Sequence, residues 1–420
     1  MAILQKIFKK KEKRNLALSL DIGTEFIKAL IFEIDTKSNK GTVIGVGKQR
    51  QGLGDMQSGA VADISGVVKN AEAAISRAEE MAGAAADQAI IGIAGELVKG
   101  KTISVHYERK DPTQKIDLPE LKNIIHKVQW KAFERVRKQL SWETGMSEID
   151  VKLINAAIVD VKIDGYKITN PLGFQGKDVT ISIFNAYAPL VHLGALQTIA
   201  NEVGLDLLSI AAEPYAVARS IGTSDSQEFS AIFIDIGGGT TDIAVVNKGG
   251  IEGTKMFALG GRAFTKRIAQ ELDCTFEEAE RMKIKYSNKQ LPDDEAKKVR
   301  EALKGDAEVW LAGVELALSE FSDLEILPQR ILLCGGGSEL PEIKEVLTKS
   351  DWSESLPFSK KPSVNFLKPS DVSSISDATE KLNSVQDITP MGLAHLALDL
   401  AGDETMTQTI LRRVVKMMQT

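Results

Sequence analysis

The chain has 420 residues, 43% of them hydrophobic and 26% charged, with a formal net charge of -6. That length holds two to four compact units at about 150 residues each, and the negative balance sets the bulk surface against polyanions, which excludes nucleic acid as a principal partner. Two cysteines, Cys274 and Cys334, are too few for a disulfide framework, and four singly placed histidines give no metal-ligand cluster. This usage fits a reducing cytoplasm, and no apolar run approaches the roughly 18 to 20 residues of a membrane-spanning helix.

The opening stretch MAILQKIFKKKEKR, residues 1–14, sets Ile3, Leu4, Ile7 and Phe8 at helical spacing among six basic residues. It reads as a basic amphipathic helix for an anionic membrane surface; a solvated tail or a helix docked on its own protein are the other readings. Each bulky side chain withdrawn from water contributes about 1.5 to 3 kcal/mol at most, each nearby basic residue about 1 kcal/mol against an anionic leaflet, while ordering costs about 1 to 2 kcal/mol per residue. One such helix therefore binds weakly, and a firm hold requires many copies on one assembly.

From Asn15, LALSLDIGTEFIKALIFEI gives two apolar runs hinged at Asp21-Ile22-Gly23-Thr24, the pattern of a hairpin with a carboxylate at the end of its first strand. The same grammar returns in AIFIDIGGGTTDIAVV, with Asp235, Gly237, Gly238, Gly239, Thr240 and Thr241 at the turn. Two copies point to two related half-domains presenting matching turns to one ligand. Glycines leave backbone N–H groups open to phosphate oxygens, threonine hydroxyls add donors, and aspartates at strand ends hold a magnesium ion through its waters.

Between them lies GELVKGKT, residues 95–102, which fits the letters of a phosphate-binding loop. Such a loop needs a strand before it and a helix after it. Here QAIIGIAG reads as a strand, but KTISVHYER alternates with a period of two and reads as another strand, so the segment is expected to be a hairpin turn and not a nucleotide site.

Further on, GGRAFTKRIAQELDCTFEEAERMKIKY reads as a loop and two helices, with Glu280 and Lys283 on one helix face, where a surface ion pair is the plainer reading. In RILLCGGGSELPEIKEVL the strand Ile331 to Cys334 runs through Gly335, Gly336 and Gly337 into a helix expected near Ser338, a turn suited to the polar parts of a nucleotide. The last stretch, TMTQTILRRVVKMMQT, is again amphipathic, with docking on the protein core and binding to a membrane or partner both open.

Taken together, DIGTEFIKALIFE, IDIGGGTTDIAVV, ILLCGGGSELPEI, AAEPYAVARS and ITPMGLAHLA resemble, in order, the two phosphate motifs, the adenosine motif and the two connecting helices of the actin-like ATPase superfamily. The stretches GYKITNPLGFQGKDVTISIFNAY and ALGGRAFTKRIAQELDCTFEEAERMK are similar to the FtsA family of bacterial cell-division proteins within it. The resemblance implies an α/β, actin-like (ribonuclease H-like) duplicated fold with a small α+β domain inserted in the first half. Its expected parts are residues 15–87 with 173–230 and 388–404 for the first subdomain and 88–172 for the insert. Residues 231–270 with 326–387 form the second subdomain, 271–325 a helical subdomain, and 1–14 and 405–420 the amphipathic ends.

By the same resemblance, Asp21 and Asp235 organise Mg2+ and its waters, and Gly23, Thr24, Gly237, Gly238, Gly239, Thr240 and Thr241 hold the phosphates of ATP. Glu213 positions the attacking water. Gly261, Glu280, Lys283, Gly335, Gly336 and Gly337 meet the nucleoside. The implied function is a filament on the cytoplasmic face of the cell membrane that tethers the tubulin-like ring protein FtsZ, through a surface expected within residues 271–325. Turnover stays open, because a phosphate cradle is compatible with tight binding and almost no hydrolysis. Two departures stand out: the segment Trp130 to Lys152 is unlike the family's usual sequence, and there is almost no linker between Leu400 and the last stretch, so which end meets the membrane is open. A PilM-like platform of a type IV pilus machine is the alternative, and a small-molecule kinase of the same superfamily a third reading.

Overall fold

The computed structural model describes residues 14–95, 98–144, 151–221, 229–349, 351–401, 409–411 and 413. The amphipathic reading of residues 1–13 falls outside them. Two sheets dominate. The first has six strands, in the order Asp206–Ala212, Gln88–Ile93, Leu16–Ile22, Phe26–Asp35, Lys40–Arg50 and Ile375–Asp377. The second has nine, beginning Ser363–Phe366, Arg330–Cys334, Ala231–Ile236, Thr241–Asn247 and Gly250–Phe257.

Counting the first five strands of each half in chain order, both sheets read 5-4-1-2-3, a three-strand antiparallel meander with two parallel strands added beside its first member. The duplication legible in the two Asp-Gly turns is thus a duplication of whole half-domains. The central strands are buried on both faces, as Leu16–Ile22 and Ala231–Ile236 show by near-continuous burial, and this explains why they read as unbroken apolar runs instead of alternating ones.

The remaining strands of the second sheet, Lys99–Glu108, Asp178–Pro189, Val151–Ile163 and Tyr166–Lys167, form the insert. Among the described residues their strand pairing with the second half is limited to Gly253 with Lys101 and Thr254 with Gly100. The helix Leu118–Thr144 covers the insert with Leu121, Ile124, Ile125 and Val128 in its core. Ile410 and Leu411, helical and buried, sit in that same core, so this part of the last stretch is docked on the insert.

Several expected boundaries move. Strand Gln88–Ile93 pairs in parallel with Leu16–Ile22 and Asp206–Ala212, so it belongs to the first sheet and not to the insert, while Asp178–Pro189 pairs on both sides with insert strands. Residues 375–377, expected in the second subdomain, pair with Gly41, Thr42 and Val43 and close the edge of the first sheet. GELVKGKT is not a hairpin turn: the strands Gln88–Ile93 and Lys99–Glu108 lie in different sheets, and Lys99 to Thr102 already belong to the second of them. The helix expected near Ser338 begins as a 3-10 turn at Gly336–Glu339, and the α-helix proper is Pro341–Lys349.

Helices Glu213–Ser220 and Ile388–Ala401 pack against each other beneath the junction of the halves. A Cβ on Gly392 would stand 3.1 Å from the Ala216 carbonyl oxygen, so this glycine sets how closely the two helices approach. Ser19 Oγ donates to the Pro390 carbonyl at 2.9 Å, tying the second of them to the first strand. Among the described residues no helix is long and apolar enough to cross a membrane.

Candidate functional site

The two Asp-Gly turns face each other across a cleft of about 420 Å³ between the halves. Asp21, Gly23 and Thr24 line it from the first half and Asp235, Gly237, Gly238 and Thr240 from the second. Gly23 N–H donates to the Phe26 carbonyl at 3.1 Å, and Gly237 N–H to that of Thr240 at 2.9 Å, so each turn is closed by its own backbone.

Hairpin register places a second functional group opposite each aspartate, seven residues on. Asp21 is paired across the first hairpin with Lys28, and Asp235 across the second with Asp242. Both partners line the cleft, and both were missed by sequence reasoning, although counting across the hairpins would have found them. Lys28 holds Asp21 at 2.9 Å and the Gln386 carbonyl at 2.8 Å. Burial works against its charge, but Asp21, together with Asp235 and Asp387, outweighs it and the Lys28 pKa is raised.

Glu213, at the start of its helix, enters the floor of the same cleft. Its pKa stands well above the usual carboxylate range because it is buried and because Asp21, Asp242 and Asp235 surround it. Asp242 is likewise raised well above that range, by burial and then by Asp235. Asp235 is raised by burial, offset in part by its hydrogen bond from Thr389 Oγ1. Four carboxylates thus share one low-dielectric floor with Lys28, and Asp242 Oδ1 has no hydrogen-bond partner among the described residues. Such a floor is short of positive charge and fits a hydrated cation. Among the described residues no three ligand side chains come together as a direct metal cluster, so a cation in this cleft would have to be held largely through waters and ligand oxygens.

Where the sequence places the nucleoside, Gly335, Gly336 and Gly337 line the same cleft as Gly261, Glu280 and Lys283. Gly335 has φ 78° and its N–H donates to the Val385 carbonyl at 3.0 Å; a Cβ there would run into Asp235 and the Ile236 carbonyl, so the position requires glycine. Lys283 and Glu280 pair at 2.7 Å, each with side-chain exposure of 11%, and Lys283 also donates to the Gly261 carbonyl at 2.9 Å and Thr265 Oγ1 at 2.6 Å. The surface ion pair expected there is a shielded strut that fixes the glycine loop.

Two expected phosphate residues stand behind the cleft wall. Thr241 is fully buried, its hydroxyl donating to the Leu259 carbonyl at 2.7 Å and accepting from Trp310 Nε1 at 2.9 Å, so it is committed to the core. Gly239 does not line the cleft; a Cβ on it would sit 2.7 Å from Thr24 Oγ1, so its role is to let the two turns approach. No described residue of GELVKGKT lines the cleft, although the preceding Ala94 does, and Lys99 to Thr102 line a separate recess of about 750 Å³ between the insert and the second half.

Duplicated half-domains with matching Asp-Gly turns around one cleft define an actin-like protein. A chain of the PilM–PilN type IV pilus biogenesis complex has this fold, with a TM-score of 0.63 over 91% of this chain and 98% of that one at 16% identity. Residues 232–382 match the family model described as cell division protein FtsA. The chain is 27% identical to the cell division protein FtsA of Pseudomonas aeruginosa over 274 residues, 65% of this chain and 61% of that protein. It is 26% identical to that of Enterococcus faecalis over 362 residues, 80% and 76% of the two chains, and 27% identical to that of Bacillus subtilis over 276 residues, 64% and 57%. The chain is thus actin-like in fold and similar in sequence to FtsA cell division proteins, and its alignment spans less than two thirds of the Pseudomonas and Bacillus relatives.

Proposed function

We propose that this protein binds ATP with Mg2+ in the cleft and assembles into filaments on the cytoplasmic face of the membrane during cell division. There it tethers the tubulin-like ring protein FtsZ. The observation that carries the reading is the convergence of both Asp-Gly turns, the buried Glu213 and the Gly335–Gly337 loop on one cleft. In this reading Gly23, Thr24, Gly237, Gly238 and Thr240 surround the phosphates, Asp21, Asp235 and Asp242 face the hydrated metal ion, and Glu213 orients a water toward the terminal phosphate. The bound metal ion supplies charge neutralisation at the phosphates. Relatives named as cell division proteins support the cellular role. Polymerisation supplies the multivalency that weak amphipathic segments require.

Electron microscopy of the purified protein on anionic liposomes, with and without ATP and beside a Met1 to Arg14 deletion, tests this. Nucleotide-dependent membrane filaments are expected, and their loss in the deletion would assign the anchor to the N-terminal segment. Discrete monomers under every condition would overturn the filament reading in favour of the PilM-like platform, whose further mark would be binding of a short cytoplasmic peptide from a membrane partner.

A further inference from the structure

Arg262 was not among the residues singled out by sequence, yet its backbone is anchored in one half and its side chain bonds to the other. Its backbone belongs to the second half: Gly261 N–H donates to the Gly237 carbonyl and Arg262 N–H to the Gly238 carbonyl, both at 2.8 Å. Its side chain belongs to the first. Nε donates to Glu25 Oε2 at 2.8 Å, Nη2 to the Thr24 carbonyl at 2.7 Å, and Nη1 reaches the Leu53 and Met56 carbonyls at 3.3 and 3.5 Å. Glu25 also accepts from Arg50 at 2.7 Å, so its carboxylate is held on both oxygens.

We propose that Arg262 is a clasp that locks the phosphate turn of one half onto that of the other and so sets how fast nucleotide enters and leaves the cleft. The inference rests on the nucleotide reading above for its kinetic consequence, but not for its geometry. Three features support a clasp over a phosphate ligand. The guanidinium donors are directed at protein acceptors in two separate chain segments, at residues 24–25 and 53–56, a use of the planar fork that an ammonium cannot reproduce. The pair with Glu25 is shielded, with side-chain exposures of 13% and 14%, so it is screened far less than a surface ion pair. The turns it joins are already in contact, since a Cβ on Gly238 would lie 2.9 Å from Glu25 Cβ. Arg262 is in this sense a positioning residue: it acts on the ligand through Thr24 and Glu25.

The test is stopped-flow dissociation of fluorescent ATP and ADP analogues from the full chain carrying R262A, R262K, E25A, E25Q and the R262A/E25A pair, with circular dichroism to verify folding. The clasp predicts that R262A and E25A each speed release of both nucleotides at least tenfold, that the double variant is no faster than either single one, and that R262K and E25Q fall between. A loss confined to the triphosphate, or additive effects of the two residues, would place the guanidinium on the terminal phosphate and overturn the clasp; unchanged rates would overturn it as well. Should the unaltered protein bind no nucleotide, the cleft reading fails while the clasp is still decided by hydrogen exchange at the amides of residues 24–25 and 238–239. Faster exchange in R262A sustains it and equal exchange removes it.

Discussion

Lys28 stands directly across the first hairpin from Asp21, its ammonium 2.9 Å from the carboxylate and 2.8 Å from the Gln386 carbonyl. Lys28 is a cation beside the four carboxylates of the floor and pairs directly with Asp21. Its raised pKa means that the stabilisation is fully present below the ordinary lysine range and is lost only as pH rises through the folded value, so it is intact at neutrality. Lys28→Met is expected to destabilise the protein by about 3 kcal/mol, as breaking a shielded pair does. Millimolar Mg2+ should restore more of the melting temperature in this variant than it adds to the unaltered protein. Thermal melts with and without Mg2+ decide it, and an equal response in both proteins would count against a cation beside Asp21.

Thr241→Val separates cradle from core. Removing the hydroxyl strands the Trp310 indole N–H and the Leu259 carbonyl, which costs about 1 to 3 kcal/mol. Chemical denaturation should show that loss, while nucleotide affinity measured by calorimetry stays within about twofold; a large drop in affinity of the folded variant would return Thr241 to the phosphate site.

Glu213→Gln keeps the size of the side chain and removes an ionisable group from a floor that holds three other carboxylates. The variant should bind nucleotide and be at least as stable as the unaltered protein. If Glu213 positions water, phosphate release should fall by about tenfold or more, in the range of a lost acid–base group. Unaltered phosphate release would remove the catalytic role.

His395, 5% exposed on the helix Ile388–Ala401, bonds through Nδ1 with the Ser373 carbonyl at 2.9 Å. Its Nε2 lies 3.7 Å from Asp399, which is itself paired to Arg219 at 3.1 Å. Burial lowers the His395 pKa against the opposing pull of Asp399. A lowered folded value means stability held above the ordinary histidine range and lost as pH falls through it. Melting temperature should therefore drop between pH 7.5 and 5.5, and His395→Gln should flatten part of that slope.

Ile410→Asp tests the docked end of the chain. The residue is 3% exposed in the insert core, and a carboxylate there has no described partner to compensate its burial. Hydrogen exchange should rise in the helix Leu118–Thr144, with little change around the cleft. Uniform protection would show that the contact contributes nothing to the insert.

The elements were legible where physics is local. Hairpins announced themselves by apolar runs broken at Asp-Gly, and the helix carrying Glu280 and Lys283 by its spacing. What failed was pairing between distant segments. Both strands around GELVKGKT were read correctly, but nothing in residues 88–108 tells that the first pairs with 16–22 and the second with 178–189. Thr241 and Thr240 are neighbours with the same hydroxyl, and only the position of Trp310, 69 residues away, sends one to the core. Lys28 and Asp242 were recoverable by counting across a hairpin; Arg262 was not, since its partners lie more than 200 residues earlier.

The edge strand Ile375–Asp377 and the helix Ile388–Ala401 complete a sheet whose first hairpin is the earliest described part of the chain. A ribosome extending the chain at about 5 to 20 residues per second takes roughly 20 to 70 s to pass from that hairpin to the helix that covers it. Throughout this interval the first half exposes a nearly finished apolar sheet without its lid. Its maturation therefore waits for residues 375–401, and holding factors that shield nascent apolar surface should associate with the early half of the polypeptide until those residues have emerged.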